Sequence, residues 1–168
     1  WIREFAALPK DIDLERLENA FVGVGFEVES VDIQGSNLTG PLVVARVINI
    51  EELVGNKKPI RYVELDCGEA KTRFVICGAT NFAVNDLVVA ALPGAVLPGG
   101  FSISARETYG KTSNGMICSA RELGISDEHS GIIVLPADCA KVGTDAVELL
   151  EINDVVFDIA VNPDRGYA

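Results

Sequence analysis

The chain holds a single histidine, His129, in the run Ser126-Asp127-Glu128-His129-Ser130-Gly131. Any serine–histidine or cysteine–histidine nucleophile has to use it. A solvated turn histidine between acids is the plainer reading. The stretch Gly94-Ala95-Val96-Leu97-Pro98-Gly99-Gly100 is glycine-rich, but no Gly-Lys-Ser/Thr follows, so it does not read as a phosphate cradle. Cys67, Cys77, Cys118 and Cys139 form no Cys-x-x-Cys pair, and the acids show no ligand spacing. Neither a metal site nor a catalytic constellation is read. Each cysteine sits beside small or apolar residues, which suits reduced, buried thiols and a cytoplasmic compartment.

Binding chemistry is better represented. In the loop Asn81 to Asp86 and the segment Lys111 to Met116, the candidate residues are Asn81, Lys111, Ser113, Asn114 and Met116. Asn and Ser side chains bond phosphate, sugar or base edges, and Lys111 supplies charge. Met116 offers an adaptable apolar surface to a base. The alternative is that Asn81, Asn114 and the nearby glycines make tight turns. Lys57, Lys58, Arg61, Lys71 and Arg73 are read either as a basic edge that meets phosphates or as a solvated face shared with Glu64, Asp66 and Glu69. Phe74 and Phe101 fall on the apolar phase of their strands and are assigned to the core. Tyr62 and Tyr109 are the better stacking candidates.

The elements that must position these residues are mostly short strands. Asp13 can cap a helix with Leu14, Leu17, Phe21 and Val24 at helical spacing, closed by Gly23 and Gly25. Phe26, Val28, Val31 and Ile33 predict a strand with a bulge or phase change between Val28 and Val31. Gly35 to Pro41 has the composition of a linker. Strands follow over Leu42–Ile50, Ile60–Cys67, Thr72–Cys77 and Leu87–Leu92, with turns at Gly68-Glu69-Ala70-Lys71, Pro93-Gly94 and Pro98-Gly99-Gly100. Phe101, Ile103 and Ala105 alternate with polar residues as a half-exposed strand. Ser119-Ala120-Arg121-Glu122 fits a capping box on a short helix closed by Gly124. Ile132–Leu135 is a short strand, Thr144 caps a helix through Leu150, and Asp154–Val161 is again strand-like.

The bulk numbers set bounds. A chain of 168 residues, 48% hydrophobic and 23% charged, buries a real core. No apolar run reaches the roughly 18 residues of a membrane helix, and no secretory signal is read. Trp1 at the start and Asn162-Pro163-Asp164-Arg165-Gly166-Tyr167-Ala168 at the end read as cuts from a longer protein. The net charge of -11 argues against a general nucleic-acid binder. It is unevenly spread: residues 1–35 carry 3 basic and 8 acidic side chains, 36–121 carry 9 and 7, and 122–168 carry 2 and 10. Only the middle segment is not acidic.

The order and wording from Phe74 to Ser119 resemble the tRNA-binding domain of the oligonucleotide-binding (OB) barrel family. The residues that carry it are Phe74-Val75-Ile76-Cys77-Gly78-Ala79-Thr80-Asn81, Val96-Leu97-Pro98-Gly99-Gly100 and Gly115-Met116-Ile117-Cys118-Ser119. Together with Trp1-Ile2-Arg3-Glu4-Phe5, Gly25-Phe26-Glu27-Val28-Glu29, Leu123-Gly124-Ile125-Ser126-Asp127, Gly131 to Pro136 and Asn162 to Gly166, they are similar to the family of bacterial phenylalanine–tRNA ligase β subunits. One departure stands out. Where many tRNA-binding barrels carry His-Pro-x-Ala-Asp/Glu-x-Leu, this chain reads Glu51-Glu52-Leu53-Val54-Gly55-Asn56-Lys57-Lys58-Pro59-Ile60-Arg61, without the His or the acidic helix start. The resemblance carries over Asn81, Ser113, Gly115 and Met116.

The fold expected is α+β, mainly β: a five-stranded OB-type barrel over 41–150, inserted in a small discontinuous αβ domain of 1–40 and 151–168. The resemblance implies a cytoplasmic α2β2 ligase that charges tRNA with phenylalanine using ATP and magnesium. Catalysis would lie on the α subunit and editing on later β-subunit domains. This fragment would then be non-catalytic, giving auxiliary tRNA contact or subunit architecture, with no cofactor of its own. Two rivals stay open: a free-standing tRNA-binding module that dimerises through its barrel, and an acidic protein–protein scaffold.

Overall fold

The computed structural model describes residues 2–9, 12–55 and 59–161. In chain order the elements are α1 (Ile2–Phe5), α2 (Leu14–Gly23), β1 (Glu27–Ile33), β2 (Leu42–Glu52), β3 (Arg61–Asp66), β4 (Arg73–Cys77), β5 (Leu87–Ala91), β6 (Val96–Leu97), β7 (Phe101–Ser102), β8 (Arg106–Thr108), β9 (Lys111–Ser113), β10 (Met116–Ile117), β11 (Val134–Leu135), α3 (Ala146–Leu149) and β12 (Val155–Ala160). They divide into two compact units, Trp1–Ile33 with Val155–Ala168, and Gln34–Asp154. The expectations placed on Trp1, Lys57, Lys58 and Asn162 to Gly166 lie outside the described residues.

In the smaller unit, Asp13 caps α2 by accepting a hydrogen bond from the Glu15 amide at 3.3 Å, satisfying a donor the helix cannot pair internally. Gly25 turns the chain at φ 89°. Strand β1 pairs antiparallel with β12, from Glu27 opposite Ala160 to Ile33 opposite Val155. The register shifts between Val28 and Ser30, where the apolar phase of the sequence also changes. Phe21 of α2 meets Phe157 of β12 with ring centroids 5.3 Å apart. None of this unit's described residues is fully buried.

The larger unit is a nearly closed antiparallel barrel whose strands run β10-β5-β2-β3-β4. Strand β2 serves two partners. Leu42 to Arg46 pair with β5, and Arg46 to Glu52 pair with β3. A bulge between Val47 and Asn49 bends the strand from one partner to the other. Closure falls beside β4. There the Asn114 amide donates to the Phe74 carbonyl at 2.7 Å and the Ile76 amide donates to Ser113 Oγ at 3.0 Å.

The barrel interior is apolar, built from Ala45, Val47, Val63, Leu65, Val75, Cys77, Val88, Ala90 and Ile117. The other face of β2 and β5 carries Leu42, Val44, Leu87, Val89 and Ala91, which pack under Leu97, Ile103, Cys118, Leu123, Ala146 and Ile152. Strand β5 is therefore buried on both faces, which is why Leu87 to Ala91 is apolar throughout instead of alternating. Burying each such valine stabilises the fold by about 1.5–3 kcal/mol.

Several local expectations are corrected. Phe74 and Phe101 are not core residues. Val75 opposite Val63 faces the interior, so Phe74 turns outward and is 36% exposed. Phe101 is 45% exposed because β6 and β7 pair over only two residues each, too short to sustain alternation. Beyond Ser102 the chain leaves the ribbon, and Ile103 is tied back by its amide to the Ala95 carbonyl at 2.8 Å. The Ser119–Glu122 capping box forms, with the Ser119 amide on Glu122 Oε2 at 2.7 Å, but it closes a turn and no helix grows before Gly124 at φ 72°. Asp145 caps α3 in place of Thr144, accepting from the Val147 amide at 2.8 Å. The Thr144 carbonyl instead takes the Val44 amide at 2.9 Å. Cys67, Cys77 and Cys118 are buried free thiols, whereas Cys139 is exposed.

Gly115 is the position with least latitude at the closure. Its φ is 145°, and a Cβ there would stand 2.8 Å from the Ala91 carbonyl oxygen, a backbone atom that cannot swing aside. Gly115→Ala is expected to destabilise the chain by about 1–3 kcal/mol, read as a lower thermal midpoint. An unchanged midpoint would show that the closure tolerates a side chain.

Candidate nucleic-acid interface

The five residues singled out by sequence separate into two groups. Asn81 and Ser113 are structural fastenings. The Asn81 side-chain amide donates from Nδ2 to the Ile132 carbonyl at 2.9 Å and accepts on Oδ1 from the Ile132 amide at 3.0 Å. It replaces a strand neighbour for that residue and pins the Gly78–Phe82 loop to the chain before β11. Gly131 must lack a side chain there, since a Cβ would meet Asn81 Cγ at 2.4 Å. Ser113 is buried. Its hydroxyl accepts from the Ile76 amide and donates to the Gly115 carbonyl, each at 3.0 Å.

Lys111, Asn114 and Met116 keep partial exposure. Lys111 Nζ lies 3.1 Å from Glu51 Oε2 and 4.8 Å from the Tyr62 ring centroid. Tyr62 stacks on Phe74, with centroids 5.2 Å apart and planes at 20°, and its hydroxyl donates to the Thr112 carbonyl at 3.1 Å. The side-chain amide of Asn114 has no hydrogen-bond partner among the described residues. Met116 pairs with Ala91 and packs against the apolar layer over β5. The outer surface of β3 and β4 therefore presents an ordered pair of rings with an ammonium above one of them. Tyr62, expected to stack on a base, here stacks on a ring of its own chain. Phe74 was missed because either phase of Thr72–Cys77 contains apolar residues, and only pairing with β3 selects one.

Most cations near this face are neutralised within the chain. Arg61 pairs with Glu52 at 2.8 Å and donates to the Phe82 carbonyl at 3.1 Å. Arg73 holds Glu69 in a two-point contact, with Nη2 to Oε1 at 2.9 Å. That hydrogen bond keeps the Glu69 carboxyl below its ordinary pKa. Tyr109 sits exposed at the tip of the β8–β9 hairpin at φ 53°, followed by Gly110 at φ 71°, the pair of positive angles a two-residue hairpin turn requires.

Acid–base and metal chemistry have little to work with. His129 is exposed, with Nδ1 3.1 Å from the Asp127 carbonyl. Burial pushes the Cys118 thiol up to about 12 and the Cys67 thiol up to about 11. Burial raises Cys77 as well. All three stay protonated and unreactive at neutral pH. Among the described residues no three His, Cys, Asp or Glu side chains come together as a metal site.

The family described as "Putative tRNA binding domain" matches residues 42–145, which spans all five barrel strands and the hairpin β8–β9. The chain belongs to this tRNA-binding domain family. The chain is also 55% identical to the phenylalanine–tRNA ligase beta subunit of Thermobifida fusca, with all of the chain and 21% of that protein covered. The proteins of the same name from Streptomyces avermitilis and Mycolicibacterium paratuberculosis are 54% and 51% identical, with 99% of the chain and 20% of each protein covered. The chain thus spans about a fifth of the length of these relatives. Among the described residues no helix is long and apolar enough to cross a membrane.

Within the tRNA-binding domain, Asn81 serves as a clamp whose loss should register as instability. Asn81→Ala leaves the Ile132 amide and carbonyl without their partner, at a cost of about 1–3 kcal/mol. Chemical denaturation should show a lower midpoint with an unchanged slope. A variant as stable as the parent would mean that solvent replaces the clamp.

Proposed function

We propose that this chain is the non-catalytic N-terminal part of a phenylalanine–tRNA ligase β subunit, and that its barrel makes an auxiliary contact with tRNA. The observation that carries the reading is the tRNA-binding family match over the barrel, residues 42–145. Relatives named as that subunit align over the whole chain. The assembled enzyme would be a cytoplasmic heterotetramer with an α subunit that holds the active site, charging tRNA with phenylalanine from ATP and magnesium. No ligand for either cofactor is assigned to this fragment. Residues 1–40 and 151–168 would act as one discontinuous domain around the barrel at 41–150. The β1–β12 ladder supports that division.

The contact we infer uses Lys111, Asn114 and Met116, with Asn81 and Ser113 holding the segments that carry them. Ion pairing in cis supports a modest affinity: Lys111, Arg61 and Arg73 each already face a carboxylate, so few counterions are released when phosphate arrives. Subunit architecture is the second reading, favoured by the net charge of -11.

Labelled tRNA titrated with the chain across a salt series tests the contact. Weak binding with a shallow salt slope is expected. Lys111→Glu should weaken it and reduce the slope by about 1, and Met116→Ala should lower affinity at an unchanged slope. No binding by the parent at low salt would leave the architectural role. The chain alone should also give no phenylalanine-dependent pyrophosphate exchange, because among the described residues no nucleophile, acid–base pair or phosphate loop is assembled. Exchange above a buffer blank would refute the non-catalytic assignment.

A further inference from the structure

We propose that Phe101 and Arg106 form a stacking site for an unpaired nucleotide of RNA, with the base on the ring–guanidinium pair and a phosphate on Arg106. The proposal rests on the tRNA-contact reading and names residues that reading does not use. Phe101 is 45% exposed, and the Arg106 Cζ lies 5.1 Å from its ring centroid. A guanidinium close to an aromatic ring offers a base a π-surface while its edge keeps donors for phosphate oxygens.

Charge sets this pair apart from the other ring–cation contacts, Arg61 over Phe82 and Lys111 over Tyr62. Lys111, Arg61 and Arg73 are each within 4 Å of a carboxylate, whereas Arg106 meets none among the described residues. Its positive charge is uncancelled and complements a phosphate. Strand geometry removes the nearest acid: Arg106 and Thr108 share one face of the hairpin, and Glu107 faces the other way.

The same face is continuous with the surface described above. Arg106 lies opposite Ser113 and Thr108 opposite Lys111, and directly opposed residues share a face of the ribbon. Lys111 in turn sits over Tyr62, which stacks on Phe74. Two ring–cation contacts therefore flank one hairpin face. Aromatic rings interleaved with cations suit a single strand, whose bases stack and whose backbone is charged.

The test uses the whole chain and a short oligouridylate carrying a single 2-aminopurine, followed by fluorescence quenching and anisotropy across a salt series. Labelled tRNA is titrated in parallel. Phe101→Ala should lower oligonucleotide affinity by about 5- to 100-fold at an unchanged salt slope, and Phe101→Trp should restore quenching. Arg106→Gln should weaken binding and reduce the slope by about 0.7. Both side chains are exposed, so thermal midpoints should stay at the parent value, and if Phe101→Ala shifts its midpoint, Phe101→Leu, which keeps apolar bulk without the ring, is read in its place with the same loss expected. If the parent binds tRNA but the variants match it on the oligonucleotide, the site is wrong and the tRNA reading stands. Binding of tRNA without the oligonucleotide has the same meaning. If the parent binds neither RNA, both fall. An acidic peptide that binds through Arg106 while RNA does not would assign the face to a protein partner and overturn the proposal.

Discussion

The barrel depends on how residues 113 to 115 seal the seam beside β4. A β-sheet closes only if its last backbone groups find partners, and an unpaired buried amide costs about as much as a lost hydrogen bond. Here the seam is made in part by a side chain: Ser113 Oγ takes the Ile76 amide and returns a bond to the Gly115 carbonyl. The Asn114 amide supplies the next rung to Phe74. Gly115 then lets the chain pass close under the Ala91 carbonyl into β10. Moving any of these groups would open the interior lined by Val63, Val75 and Ile117.

The seam also fixes what faces outward. Once β4 is locked with Val75 and Cys77 inward, Phe74 must project, and Tyr62 on the neighbouring strand stacks behind it. The hairpin β8–β9 leads into the same seam, which carries Lys111 over the Tyr62 ring. The stacked rings on the outer surface of β3 and β4 are thus a by-product of closure.

Electrostatics narrows that surface further. The chain is strongly acidic, and its three ion pairs among the described residues cancel cations on β3, β4 and β9. Exposed pairs of this kind add little stability, typically 0–1 kcal/mol. Their larger effect here is to remove charge that a phosphate would otherwise use. Arg106 by contrast meets no carboxylate among the described residues and stands over the exposed Phe101 ring, the combination on which we propose a weak, stacking contact.

Sequence by itself determined the parts governed by local chemistry. Four barrel strands, β2 to β5, followed from short apolar runs between Gly, Pro and Asn, whereas the two-residue β10 at Met116–Ile117 did not. The Asp13 cap, the β1 phase change and the doubly buried Leu87–Ala91 were readable because a cap, a bulge and two-sided burial each leave a pattern within a few residues. Tertiary structure alone decided which apolar phase of β4 faces in, and so exposed Phe74. It decided that the two-residue ribbon β6–β7 turns Phe101 out, that Asp145 and not Thr144 caps α3, and that Cys139 is exposed. It also assigned Asn81 and Ser113 to holding the chain together. Their partners, Ile132 and Ile76, lie 51 and 37 residues away in sequence. A polar side chain that satisfies a distant backbone group has the same composition as one free to bind a ligand, and only the folded neighbourhood tells them apart.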